Sequence, residues 1–246
     1  TRRRVGRGLG LAVLLVLGTT GAGFAQELTV DLGEGPLLST RTVQLLLLIT
    51  VLSLAPGLAV TITCFPFIVT ILSILRQAIG LQQSPPNMLL VSLALFLTWF
   101  IMEPVLMDAW TLGIEPLNRG EMDAAEAMTA AMGPFRLFMA ARLDPDTFAA
   151  LRDLRPGADL LQPTAEAPLS ILIPAFMLSE VARAFEIGFM IFLPFLIIDL
   201  VVAAILMAMG MMMVPPAIVS LPFKLAFFVV ADGWSLIATA LVRGYG

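Results

Sequence analysis

The sequence predicts an all-α, membrane-associated protein of two long kinked helical hairpins with a small helical insert between them, and three observations carry that expectation. Of 246 residues, 59% are hydrophobic and 13% charged, with mean hydropathy +0.97, more apolar surface than a soluble domain of this length hides. Two apolar blocks flank one polar stretch, and each block breaks at a Gly-x-x-x-x-Pro-Pro tip: Gly80 with Pro85 and Pro86, then Gly210 with Pro215 and Pro216. Finally, Val43 to Ile79 would run about 55 Å as one helix at ~1.5 Å per residue, well beyond a hydrocarbon core of about 30 Å. Helices of that length suit an assembly better than simple crossings.

Residues 1–25 read as a cleavable signal peptide. Arg2, Arg3, Arg4 and Arg7 form a basic region, Leu9 to Leu17 an apolar one, and Gly23-Phe24-Ala25 ends in small residues where a peptidase inspects them, so cleavage is expected between Ala25 and Gln26. An uncleaved anchor is the alternative, since the apolar run can be extended through Gly18 and Thr19. Residues 26–42 are a short polar segment. The first hydrophobic hairpin, 43–107, carries Arg76 as its one charge up to Met102 and turns at Gln82-Gln83-Ser84-Pro85-Pro86-Asn87. Pro56, Pro66, Pro104, Pro174, Pro194 and Pro222 are expected to interrupt the apolar runs, because proline removes a backbone donor and crowds the preceding turn.

The insert, 108–167, holds ten acidic residues against five arginines and looks amphipathic at Met122 to Met132 and Phe135 to Leu143. It is too long for a bare loop. With the mature N-terminus outside the cytoplasm, an even number of passes makes the insert periplasmic and points both hairpin tips at the cytoplasm. Arginine counting supports this orientation poorly, but that rule weakens for loops of about 60 residues.

The second hydrophobic hairpin, 168–246, has a methionine-rich tip. Five of the seven residues from Met207 to Met213 are methionine, and the run reaches Pro215-Pro216. Unbranched thioethers specify packing poorly but remodel easily, so the pattern reads either as core filler or as a soft constriction. Glu180, Arg183 and Glu186 stand three apart in an apolar helix, and ionisable groups at such depth pair and face protein. They form either a local helix-stabilising triad or a buried charge cluster that cross-links subunits or lines a wet path. Asp199 and Asp232 are isolated, each a cap or a contact.

Several functions are disfavoured. A formal charge of −4 without basic runs beyond the N-terminus argues against a nucleic-acid partner. There is no histidine, hence no common general base or metal ligand, and no Gly-x-Ser-x-Gly elbow for a hydrolase. No cofactor, metal or catalytic site is expected, and Cys64 reads as a packed thiol. A small-molecule transporter built on broken helices is the rival reading.

The motifs LSLAP (52–56), LRQAIGLQQSPPN (75–87), LALFLTWFIMEPV (93–105), FEIGFMIFLPFLIIDLVVA (185–203), MGMMMVPP (209–216), SLPFKL (220–225) and DGW (232–234) together resemble the FliP family of flagellar biosynthetic proteins. The resemblance covers nearly all of 43–243, in order. It implies a core subunit of the flagellar type III protein export gate. About five copies would form a channel with the FliQ, FliR and FlhB subunits in the basal body at the bacterial inner membrane, and unfolded flagellar proteins would pass through it. The related SctR subunit of virulence secretion systems is the alternative, less favoured because such relatives tend to lack the signal and the long insert. The resemblance also implies that Met209, Met211, Met212 and Met213 form a pore gate, which agrees with the ability of apolar constrictions to block ions by dewetting.

Two departures from the family stand out. The family usually has arginine after a Ser-Phe-Thr motif, where this chain reads Thr63-Cys64-Phe65-Pro66-Phe67, so an ion pair is lost and a kink is expected. The base of the family's Ser-Glu-Leu-Lys motif moves one place on, to Arg183, about 100° around the helix.

Overall fold

A computed structural model of the chain describes residues 40–81, 84–157, 161–211 and 213–245. The expected cleavage site at Ala25 and Gln26 and the gate residue Met212 lie outside the described residues. Every regular element among the described residues is helical, an all-α architecture. The chain divides into two units, Thr1–Val51 and Leu52–Gly246. In the first, helix α1 (Thr40–Thr61) begins, and Thr50 donates its hydroxyl to the Leu46 carbonyl at 2.7 Å. The rest belongs to the second unit.

There the chain breaks after Thr61 and resumes in α2 (Phe65–Ile79), with Pro66 in the first turn, where its missing N–H costs nothing. The buried face of α2 repeats at Phe67, Ile68, Ile71, Leu72, Leu75, Ala78 and Ile79, a single apolar stripe at helical spacing. That stripe packs on α7 (Leu169–Ala208), a 40-residue helix of about 60 Å at ~1.5 Å per residue. A Cβ at Gly188 of α7 would lie 2.4 Å from the Ile74 side chain, so only glycine permits this closeness of approach. Helix α3 (Asn87–Ala109) returns beside α2 and continues through a π-turn, Trp110–Ile114, into α4 (Glu115–Asn118).

The insert folds as α5 (Ala124–Arg142) and α6 (Pro145–Asp153). A capping box starts α5: Asp123 accepts from the Ala125 and Glu126 N–H groups, and Glu126 accepts from the Asp123 N–H. Asp144 caps α6 by accepting from the hydroxyl and N–H of Thr147, which together hold its carboxyl below the usual range. The two amphipathic stretches of the insert are therefore one helix. Pro134, between them, is buried within α5, so packing outweighs its missing hydrogen bond.

After α7 the chain turns into α8 (Pro216–Val230), then bends by 61° into α9 (Gly233–Arg243). Asp232 sits at this bend in the left-handed region, φ 47°, without a side-chain cap bond. A Cβ at the following Gly233 would meet the Phe228 ring at 2.2 Å.

Prolines 104, 174, 194 and 222 ride inside continuous helices. The expectation that they interrupt the apolar runs is corrected: the helices continue through them, and the breaks fall at 62–64, the tips and the bend at 231–232. Asn87–Asn118 and Leu169–Ala208 are long and apolar enough to cross a membrane, at mean hydropathy 2.1 and 2.8. The bent pair α8 and α9 makes a third crossing only if taken as one span.

Candidate functional site: two tips and two charge knots

Both tips use one backbone device. Gly80 takes φ 90°; its N–H donates to Gln77 O and the Leu81 N–H to Arg76 O. Gly210 takes φ 76°; its N–H donates to Met207 O and the Met211 N–H to Leu206 O. Each is a Schellman closure that satisfies the last carbonyls of a helix and needs a left-handed residue, for which glycine carries no Cβ penalty. Pro86 and Pro215 then stand at the N-caps of α3 and α8, with Pro85 just before Pro86 and Pro216 opening α8. The shared Gly-x-x-x-x-Pro-Pro spacing thus encodes stop, turn and restart.

Met209, Met211 and Met213 are exposed at the second tip, Met213 almost wholly at 97%. A groove of about 520 Å³ runs between α7 and α8 beside them, lined by Val201, Ile205, Met209, Met211, Val219 and Phe223 among others. All ten of its lining residues are apolar.

Just behind the tips lies the first charge knot. Lys224 of α8, 6% exposed, donates to Asp199 Oδ2 of α7 at 2.6 Å and to the Ala78 carbonyl of α2 at 3.1 Å. Ser220 donates to Asp199 Oδ1 at 2.5 Å. Asp199 is therefore a contact rather than a cap, and one ammonium binds three helices while sitting at the negative end of α2.

The second knot centres on Glu180, which is fully buried. Its partner is Arg142 at the end of α5, whose Nε donates to Oε1 at 2.9 Å. Tyr245 donates its hydroxyl to Oε2. The Arg142 guanidinium lies 3.6 Å over the Tyr245 ring and also donates to the Gly244 carbonyl at 3.2 Å. Burial and the adjacent carboxylate push the Tyr245 phenol up, so it stays a donor. Arg183 and Glu186 do not join Glu180 in the single chain; both are exposed. The reason is rotation, since three residues are about 300° of helix and six are about 600°, which turns them roughly 60° and 120° away from the buried direction of Glu180. They instead border a cleft of about 420 Å³ between α7 and the α5–α6 corner.

Position 67, where a family arginine was expected, holds a buried phenylalanine edge-on to Tyr245 at 5.3 Å between centroids. Cys64 is fully buried next to Thr98. The sequence reading missed Arg142, Tyr245 and the Lys224–Asp199 pair. One signal was available: a glutamate inside an apolar helix demands a cation, and Arg142 closes the insert's longest helix.

Comparison with known proteins agrees with the motifs. The model of the FliP family matches residues 48–241. The relatives that carry the name flagellar biosynthetic protein FliP include the following three. That of Caulobacter vibrioides is 52% identical over 91% of this chain and 84% of its own length. That of Rhizobium meliloti is 42% identical over 95% and 97%, and that of Bacillus subtilis 45% identical over 84% and 93%. With the family model spanning both hairpins and the insert between them, this chain belongs to the FliP family.

Proposed function

We propose that the chain is a core, non-enzymatic subunit of the flagellar type III protein export gate. Several copies, about five by resemblance, assemble with FliQ, FliR and FlhB in the inner membrane, after a signal peptide is removed between Ala25 and Gln26, and the insert faces the periplasm. Unfolded flagellar proteins pass through the channel so formed. The single observation that carries this reading is the second tip: exposed Met209, Met211 and Met213 on a glycine-released turn, held from behind by a charge knot. Flexible apolar side chains on a fixed base suit a seal that must close on nothing and open around varied chains. Arg183 and Glu186, exposed on an apolar helix, find their partners on neighbouring subunits.

Replacing Met211, Met212 and Met213 together by alanine tests the seal. The variant gate, shown to co-purify with its partner subunits, is expected to conduct ions in lipid bilayers well above wild type. Wild-type conductance from an assembled variant would place the seal elsewhere.

A further inference from the structure

Two hydrophobic cores meet at a seam. One is built by α2, α3, α7, α8 and α9 around Ile71, Leu72, Phe195 and Ile237. The other joins α5, α6 and the opening turns of α7 around Met139, Phe148, Leu172 and Phe176. Four rings cross from one to the other. Phe176 stands edge-on to Phe138 at 5.7 Å, Phe138 stacks on Tyr245 at 6.1 Å and 14°, and Tyr245 meets Phe67 edge-on at 5.3 Å. Tyr245 is thus a middle rung, and it is delivered by the segment after α9 rather than by either core. The same residue donates to buried Glu180 and carries Arg142 on its face.

We propose that Tyr245 is a coupling residue that makes the insert and the bent α8–α9 pair open and close together. Among the described residues, the seam holds few other polar ties between these parts. Arg142 to the Gly244 carbonyl spans 102 positions of sequence, so the insert's last turn, already paired with Glu180 of α7, gains a second tie from the segment after α9. Removing the ring deletes two aromatic pairs, a cation–π contact and a donor to a buried carboxylate at once, while α2, apart from its Phe67 edge, keeps its packing on α7. The inference does not depend on the export reading.

Hydrogen exchange on the full chain in lipid nanodiscs tests it. Tyr245→Ala should raise exchange of 135–143 and of 233–243 together by about a hundredfold, with 65–79 within about twofold of wild type. Tyr245→Phe keeps the rings and removes the donor, so the same two segments should rise by about tenfold; this variant decides the matter if the alanine form does not accumulate. A rise confined to 233–243 would make Tyr245 a mere end tether and overturn the proposal. A uniform rise that includes 65–79, or no change in Tyr245→Phe, would overturn it as well.

Discussion

The two hairpin tips share a helix closure and differ in the side chains around it. Each closes with a left-handed glycine and the same pair of hydrogen bonds, and each restarts at a proline pair. At the first, Arg76 reaches across the loop to the side chain of Asn87, and Lys224 seizes the Ala78 carbonyl at the helix end. At the second, among the described residues, no side chain hydrogen-bonds across the loop, and methionines point outward. The lesson is that a turn motif sets only where the chain reverses. The side chains around it decide whether the loop is a fixed joint or a surface free to repack, and in the proposed gate that is the difference between hinge and seal.

The comparison breaks hardest at Lys224. Lys224→Ala strands the Asp199 carboxylate and the Ala78 carbonyl; losing one partner of a fully buried pair costs about 3–5 kcal/mol. Asp199 keeps 32% of its side chain exposed, so about 2 kcal/mol is expected here once solvent screening is allowed for. Thermal unfolding in detergent should show that loss, and exchange should rise first at 76–81. A stability equal to wild type would mean that the knot is only decorative.

Glycine replacement sharpens the likeness between the tips. Gly80→Ala and Gly210→Ala each force a Cβ into the left-handed region, at φ 90° and 76°, and should each cost about 1–2 kcal/mol. Unequal losses would show that one of the closures is held by its surroundings instead. At the small end stands Met213→Ala, which removes a side chain that is 97% exposed and should alter the stability of the isolated chain by less than about 0.5 kcal/mol. A larger loss would make this methionine part of the fold rather than of a surface used in assembly.

The charge knots show where a linear reading stops. Helical spacing suggested Glu180, Arg183 and Glu186 as a set, yet the structure pairs Glu180 with Arg142, 38 positions away, and with Tyr245, 65 positions away. Spacing tells which residues share a face, whereas the identity of a partner depends on how two helices are rotated and slid against each other. The prolines make the same point from the opposite direction. Pro104 and Pro194 are local breakers by propensity, yet continuous helices run through them.

What the sequence determined by itself was the class and the tips. Apolar composition forces helices in or against a membrane, since the backbone must satisfy its own hydrogen bonds there; glycine alone relieves the strain at the two closures. Tertiary structure decided which charges meet, which apolar faces are buried and which are left open at the methionine tip, and that the insert is stitched to the segment after α9. Those outcomes turn on hydrogen bonds between residues 21 to 146 positions apart, and no local rule of spacing or propensity reaches that far.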